Sequence, residues 1–257
     1  MSATIIGSVG AAVPAAEALA PAPQNLEDID PRDLQILAIL YIEENRPQEA
    51  IPLLERSVDL YPENGETYMW LGVAQFLTEQ FDLAEESFMK ALARNPSLTE
   101  VRNYLGLLRY KQGDLDAAVR EFLVALRDPV YPPVSKARVR LNVANVYLER
   151  GDPEAALEHL TAGVAAVADS DGAYIPLQLQ LSKALSELGR TQEALAALQK
   201  IIAVEPNYVE AHLLMGLAYR DMGQTRVARE HLEKVIELAP GTGLAERAQA
   251  ALARIQD

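Results

Sequence analysis

This 257-residue chain contains no cysteine. That absence excludes a disulfide scaffold, thiolate metal ligands, a cysteine nucleophile and a thioether lipid anchor. It also lacks any stretch approaching the ~18 apolar residues that a membrane-spanning helix needs. Aromatic residues make up only 6% and β-branched runs are short, so strands have little to build on. The abundant Ala, Leu and Glu favour helix instead. Basic residues are scarce too: 23 Lys and Arg against 37 Asp and Glu give a formal net charge of −14. A nucleic-acid partner needs a clustered basic face to displace counterions, which this balance argues against. The acid excess reads as solubility.

The groups that could carry chemistry are scattered. His159, His212 and His231 fall in different helices without metal-ligand spacing, and read as surface or packing residues. Acidic pairs such as Glu43-Glu44 and Glu85-Glu86 occupy exposed helix positions. No strand precedes a glycine-rich phosphate loop, and no serine has a histidine partner by motif. The chain is therefore read as a non-enzyme that needs no metal, cofactor or small-molecule substrate.

What the sequence does have is a repeat. Small residues recur at Ala50, Ala84, Ala118, Ala156, Ala194 and Ala228, with spacings of 34, 34, 38, 38 and 34. Small side chains at this interval let two helices cross closely. Turn residues recur at Asn45, Gly113, Gly151, Gly189 and Gly223, types that accept the left-handed conformation ending a helix. Pro62, Pro96, Pro206 and Pro240 stop the second helix of four repeats. Such periodicity means stacked helix pairs, each unable to bury its apolar face alone. The pattern resembles the tetratricopeptide (TPR) family over about residues 31–242. The expected fold is all-α, a right-handed TPR solenoid of six helix pairs over 31–64, 65–98, 99–136, 137–174, 175–208 and 209–242. Order is expected from Asp30, which can cap the first helix, with Pro31 suited to its first turn. Residues 243–257 carry Leu244, Ala248, Ala251, Leu252 and Ile255 on one face and read as a capping helix.

Residues 1–29 read differently. Through residue 24 the only charge is Glu17, among many Ala and Pro. One reading is a truncated signal segment ending at Ala18-Leu19-Ala20; the other is a disordered leader. No Lys or Arg precedes the apolar part, and Gly7, Gly10, Pro14 and Glu17 interrupt it.

The two 38-residue spacings each add four residues. The first addition, 128–136, contains Pro129, Pro132 and Pro133 and reads as a stiff extended connector. The second, 168–174, reads as a capped turn. Around the first, Asn103-Tyr104-Leu105-Gly106, Asp128, Tyr131-Pro132, Asn142 and Tyr147-Leu148 resemble the type IV pilus pilotin family. Those are TPR lipoproteins that help the pilus secretin reach and assemble in the outer membrane. The resemblance implies an assembly factor in the periplasm or cell envelope with a secretin partner. The family's lipidated cysteine has no counterpart here, and its Asn-Leu-Gly in repeat 4 reads Asn142-Val143-Ala144. The alternative is a general intracellular TPR adaptor in another complex.

In TPR proteins the first helix of each pair lines a concave face. Applying that register gives a partner-binding groove of Ile39, Met69, Val73, Phe76, Asn103, Leu107, Tyr110, Leu141, Asn145 and Leu148. Its apolar run suits a peptide or partner segment, and the two asparagines suit its backbone. These positions lie outside the inter-helix set Leu71, Gly72, Ala84 and Phe88. Glutamates at Phe76 and Leu107 are therefore expected to weaken binding at least about tenfold and spare the fold. Gln35 and Ile39 stand where a carboxylate clamp needs Lys and Asn, which disfavours an acidic C-terminal tail as ligand.

Overall fold

The computed structural model describes residues 29–255; the leader expectations for residues 1–28 lie outside the described residues. Within that range the chain is all-α, with thirteen helices and no strand. It divides into two compact units, through Tyr131 and from Pro132 onward.

The first unit holds three helix pairs: α1 (Pro31–Glu43) with α2 (Pro47–Leu60), α3 (Gly65–Leu77) with α4 (Phe81–Arg94), and α5 (Thr99–Lys111) with α6 (Leu115–Arg127). Capping starts several of them. Asp30 Oδ1 accepts from Arg32 N at 2.8 Å with Pro31 in the first turn, and Asn64 Oδ1 accepts from Glu66 N at 3.0 Å. Each cap satisfies an amide that the helix leaves open. Inside, Leu34, Ala38, Tyr41, Leu53 and Leu54 form one cluster, with Trp70 packed against it. Further along, Phe88 stacks on Tyr104 at 5.6 Å. A Cβ on Gly106 would stand 2.4 Å from the buried Phe122 ring, so this glycine is required by close helix approach.

The second unit begins with α7 (Pro133–Glu149) and α8 (Pro153–Val164), then α9 (Tyr174–Glu187) and α10 (Thr191–Val204), then α11 (Val209–Asp221) and α12 (Thr225–Leu238), and ends with α13 (Gly243–Leu252). Its core runs as three clusters, centred on Leu160 and Leu177, on Leu198 and Ile201, and on Leu213, Leu232 and Val235. Ala248, Ala251 and Ile255 complete the third.

All six small residues of the repeat are at most 3% exposed, as their crossing role requires. Four details differ from the sequence reading. The segment read as an extended connector over 128–136 is instead a turn at 129–130 and a bend at Tyr131, and the residues from Pro133 form the first turn of a 17-residue α7. Proline at the first helical position loses no hydrogen bond and presets φ. The last helix stops at Leu252 instead of running to 257, and Ile255 tucks in beyond its end at 8% exposed. The turn of the second repeat, for which no turn-type residue stood in register, is taken by Glu79 at φ 62°. Finally, the six repeats are partitioned three and three between the two units.

A register invisible in single helices links the members of the third and sixth pairs. Arg102 meets Glu121 at 3.1 Å and His212 meets His231 at 2.9 Å, each across 19 residues. The same step falls on Leu34 and Leu53, Tyr68 and Ser87, Arg140 and His159, and Gln178 and Ala197. Gln178 is 0% exposed, and neither its amide nitrogen nor its oxygen meets a protein partner. An unmet buried amide costs about 1–3 kcal/mol. Gln178→Leu is therefore expected to stabilise the second unit by about that amount, read as a higher urea midpoint at unchanged slope. A lower midpoint would mean the amide is satisfied.

Candidate functional site

Within the first unit α3 touches both α1 and α5, so the first helices of the three pairs form one layer. Seven of the ten groove residues lie on that layer: Ile39, then Met69, Val73 and Phe76, then Asn103, Leu107 and Tyr110. The structure brings these together, but not as an open apolar strip. Val73 is 1% exposed, Leu107 4% and Phe76 6%, and Met69 and Asn103 are also buried. The Phe76 ring lies 5.8 Å from Phe81 and 6.5 Å from Tyr104. These positions thus belong to the packing of the unit, contrary to the sequence expectation. Tight stacking of one helix pair on the next covers residues that a looser stack would leave open. Ile39 and Tyr110 remain half-buried, with Leu77 half-buried and Lys111 exposed beside them in register.

Polar groups fix the layer. Gln35 Oε1 accepts from Thr67 Oγ1 at 2.6 Å and from Asn64 Nδ2 at 3.0 Å, tying α1 to the start of α3. Gln75 Oε1 accepts from the Ser87 hydroxyl at 2.7 Å, a buried bond between α3 and α4. Arg109 pairs with Glu85 through both terminal guanidinium nitrogens, joining α5 to α4.

The segment after α6 is pinned to the same layer. The Thr99 hydroxyl donates to the Asp128 carboxylate, and the Tyr131 hydroxyl donates to the Glu100 carboxylate. Val130 N also donates to Asp128 Oδ1 at 2.9 Å. Tyr131 is 8% exposed while Val130 is 84% exposed, so the turn buries the aromatic and presents the valine. Asp128 and Tyr131, two residues that carry the pilotin resemblance, therefore anchor the end of the first unit.

The other three groove residues, Leu141, Asn145 and Leu148, sit half-buried on α7 of the second unit. Leu141 and Leu148 pack against its first cluster, beside Ala144 and Leu177. Further along this unit Lys183 holds Glu210 at 3.0 Å between α9 and α11.

Among the described residues no group of three or more His, Asp or Glu side chains could hold a metal ion. Sequence reasoning treated the histidines separately and missed that His212 and His231 meet. The signal was available in the shared 19-residue step. His159 stacks on Tyr147 at 5.8 Å, and burial, then the nearby Arg140, depress its pKa below the ordinary imidazole value.

Comparison with known proteins fits this architecture. Family models described as Tetratricopeptide repeat match residues 37–99, 78–132 and 105–173, and another matches 185–255. The chain belongs to the tetratricopeptide repeat family. It is 30% identical over 130 residues to the type IV pilus assembly protein PilF of Pseudomonas aeruginosa, half of each chain. It thus spans about half the length of that curated relative. The solved structure of Pseudomonas aeruginosa PilF superposes with a TM-score of 0.73 at 20% identity, over 86% of this chain and 96% of that one. PilW, described as a widely conserved type IV pilus biogenesis factor, gives 0.75 at 20% identity, over 85% and 98%. YrrB, described as a TPR protein with an unusual peptide-binding site, gives 0.61 at 19% identity, over 77% and 97%. At these identities the structural likeness speaks for the fold alone. No helix among the described residues is long and apolar enough to cross a membrane.

Proposed function

We propose that this tetratricopeptide repeat protein is a non-catalytic assembly factor for type IV pilus biogenesis. It binds a segment of a protein partner, the outer-membrane secretin of the pilus, on the inner helix layer of its first unit. The observation that carries the pilus reading is the 30% identity to a type IV pilus assembly protein over 130 residues. The geometry that supports the binding surface is the half-buried Ile39 and Tyr110, with Leu77 and Lys111, over a packed floor of Val73, Phe76 and Leu107. A rigid apolar floor with partly open aromatic and aliphatic edges is how a TPR layer holds an extended or helical segment. A periplasmic or envelope location follows from the same reading.

Deleting the gene in its host is expected to remove surface pili and leave the secretin unassembled in envelope fractions. The intact gene restores both. An Ile39→Glu, Tyr110→Ala variant is expected to accumulate normally yet fail to restore them, since loss of hot-spot side chains typically weakens binding by about tenfold or more. Normal pili in the deletion strain would overturn the pilus role and favour a general adaptor. Full rescue by the variant would overturn the inner-layer surface.

A further inference from the structure

We propose that His212 and His231 form an acid-operated clasp. It holds α11 to α12, and α13 with them, while at most one imidazole is charged, and it opens when both are.

The bonding pattern fixes the proton count. His212 Nε2 lies 2.9 Å from the Pro206 carbonyl oxygen, which can only accept, so Nε2 carries a hydrogen and donates. In the neutral ring Nδ1 of His212 is then an acceptor. It lies 2.9 Å from His231 Nδ1, so His231 donates across the helix crossing. A first added proton has a place at His231 Nε2, and the bridging N–H···N bond survives. A second must go to His212 Nδ1. That sets two N–H groups against each other and two cations on rings whose centroids are 5.1 Å apart. The crossing then has to open.

The surroundings favour the neutral pair. His212 is 8% exposed, and Tyr219 of α11 stacks on the other ring at 5.7 Å. From α13 the inward residues are Ala245, Ala248 and Ala251, and from α10 they are apolar, Ala197, Leu198 and Ile201 among them. Glu230 on α12 is the acidic neighbour that favours charge on His231, while Glu210 of α11 is held by Lys183 of α9. Burial first, then His212, depress the His231 pKa, and Glu230 offsets this only in part. The sign follows: below the ordinary imidazole value the unfolded chain takes up a proton that folded His231 refuses, so stability falls as pH falls. The last helix shares the consequence, since α13 packs on both α11 and α12.

The test is amide hydrogen exchange of the full chain between about pH 7.5 and about pH 4.5, corrected for intrinsic rates, with an imidazole NMR titration. Exchange in α11, α12 and α13 is expected to rise about tenfold or more relative to α9 and α10 across this range. The His231 imidazole should titrate below its ordinary value. The double variant His212→Leu, His231→Leu copies the Leu34 and Leu53 pair that occupies the same register in the first unit, and should lose the pH dependence. Acid-independent protection in the parent overturns the proposal, as does a His231 imidazole titrating at or above about 6.5. The titration of the parent decides the matter even if the double variant fails to fold.

Discussion

Replacing Phe76 and Leu107 together with Glu is expected to unfold the first unit, not to leave a folded unit with a silenced groove. Both side chains are more than nine-tenths buried, and the Phe76 ring makes two aromatic contacts inside the unit. Each substitution removes an apolar side chain worth about 2–3 kcal/mol of burial and puts a carboxyl group there without a partner. The carboxyls would stay protonated to avoid charge, but two unmet polar groups would remain. The combined cost is on the order of 5 kcal/mol or more, comparable with the whole stability of a small domain. Hydrogen exchange should show α1 to α6 unprotected while α7 to α13 keep native protection. A variant with native protection in α3 and α5 overturns this and restores the open-groove picture. Phe76→Leu is the control, expected to cost much less because it keeps the site apolar.

The difference between that outcome and the sequence reading has a physical source. A helical period is local, and so are its signals. Asp30 caps α1, Pro62 and Pro96 stand just past the ends of α2 and α4, and the glycines of four turns adopt positive φ. These were legible because each acts within a few residues of itself. The burial of Val73 and Leu107 depends on how closely one pair stacks on the next, and no residue type at those positions encodes that distance. Glu79 was not legible either, since its left-handed φ of 62° answers to the close crossing of α3 and α4 on either side of it rather than to its own preference. The start of α7 was misread for a different reason. Three prolines argue for an extended chain, but only Pro132 is extended; Pro129 lies in a turn and Pro133 sits where a helix accepts proline.

The candidate site divides along the same line. Ile39, Val73 and Leu107 lie on α1, α3 and α5, and α3 touches both of the other two. Which members remain reachable is a packing outcome. The His212 and His231 pair lies between these cases. It joins side chains from two helices, which a search within single helices misses. Yet Arg102 and Glu121 repeat the same 19-residue step, so the register was readable once one pair was known.

Ending the chain after Thr242 is expected to destabilise the second unit and make the protein aggregate. The helix so removed buries Ala245, Ala248 and Ala251, and Ile255 follows it into the same cluster, with Leu244 and Leu252 half-buried against it. Its loss uncovers the side of Leu213, Leu232 and Val235 that it closes, with Leu217 and Ile236 beside them. Burial of two leucines, an isoleucine and three alanines at about 25 cal/mol per Å² amounts to about 5 kcal/mol. Helix ordering offsets part of that, since each fixed residue costs conformational entropy. The exposed end would also be an apolar surface with no polar outer face, the arrangement that terminal repeats exist to prevent. The truncated chain should therefore show a lower unfolding midpoint for α7 to α12, unchanged protection in α1 to α6, and concentration-dependent light scattering. Ala248→Asp tests the same contact without shortening the chain, because residue 248 is 0% exposed and a carboxylate there cannot remain docked. If both variants match the parent in midpoint and solubility, the last helix is an appendage and the stack closes on α12 itself.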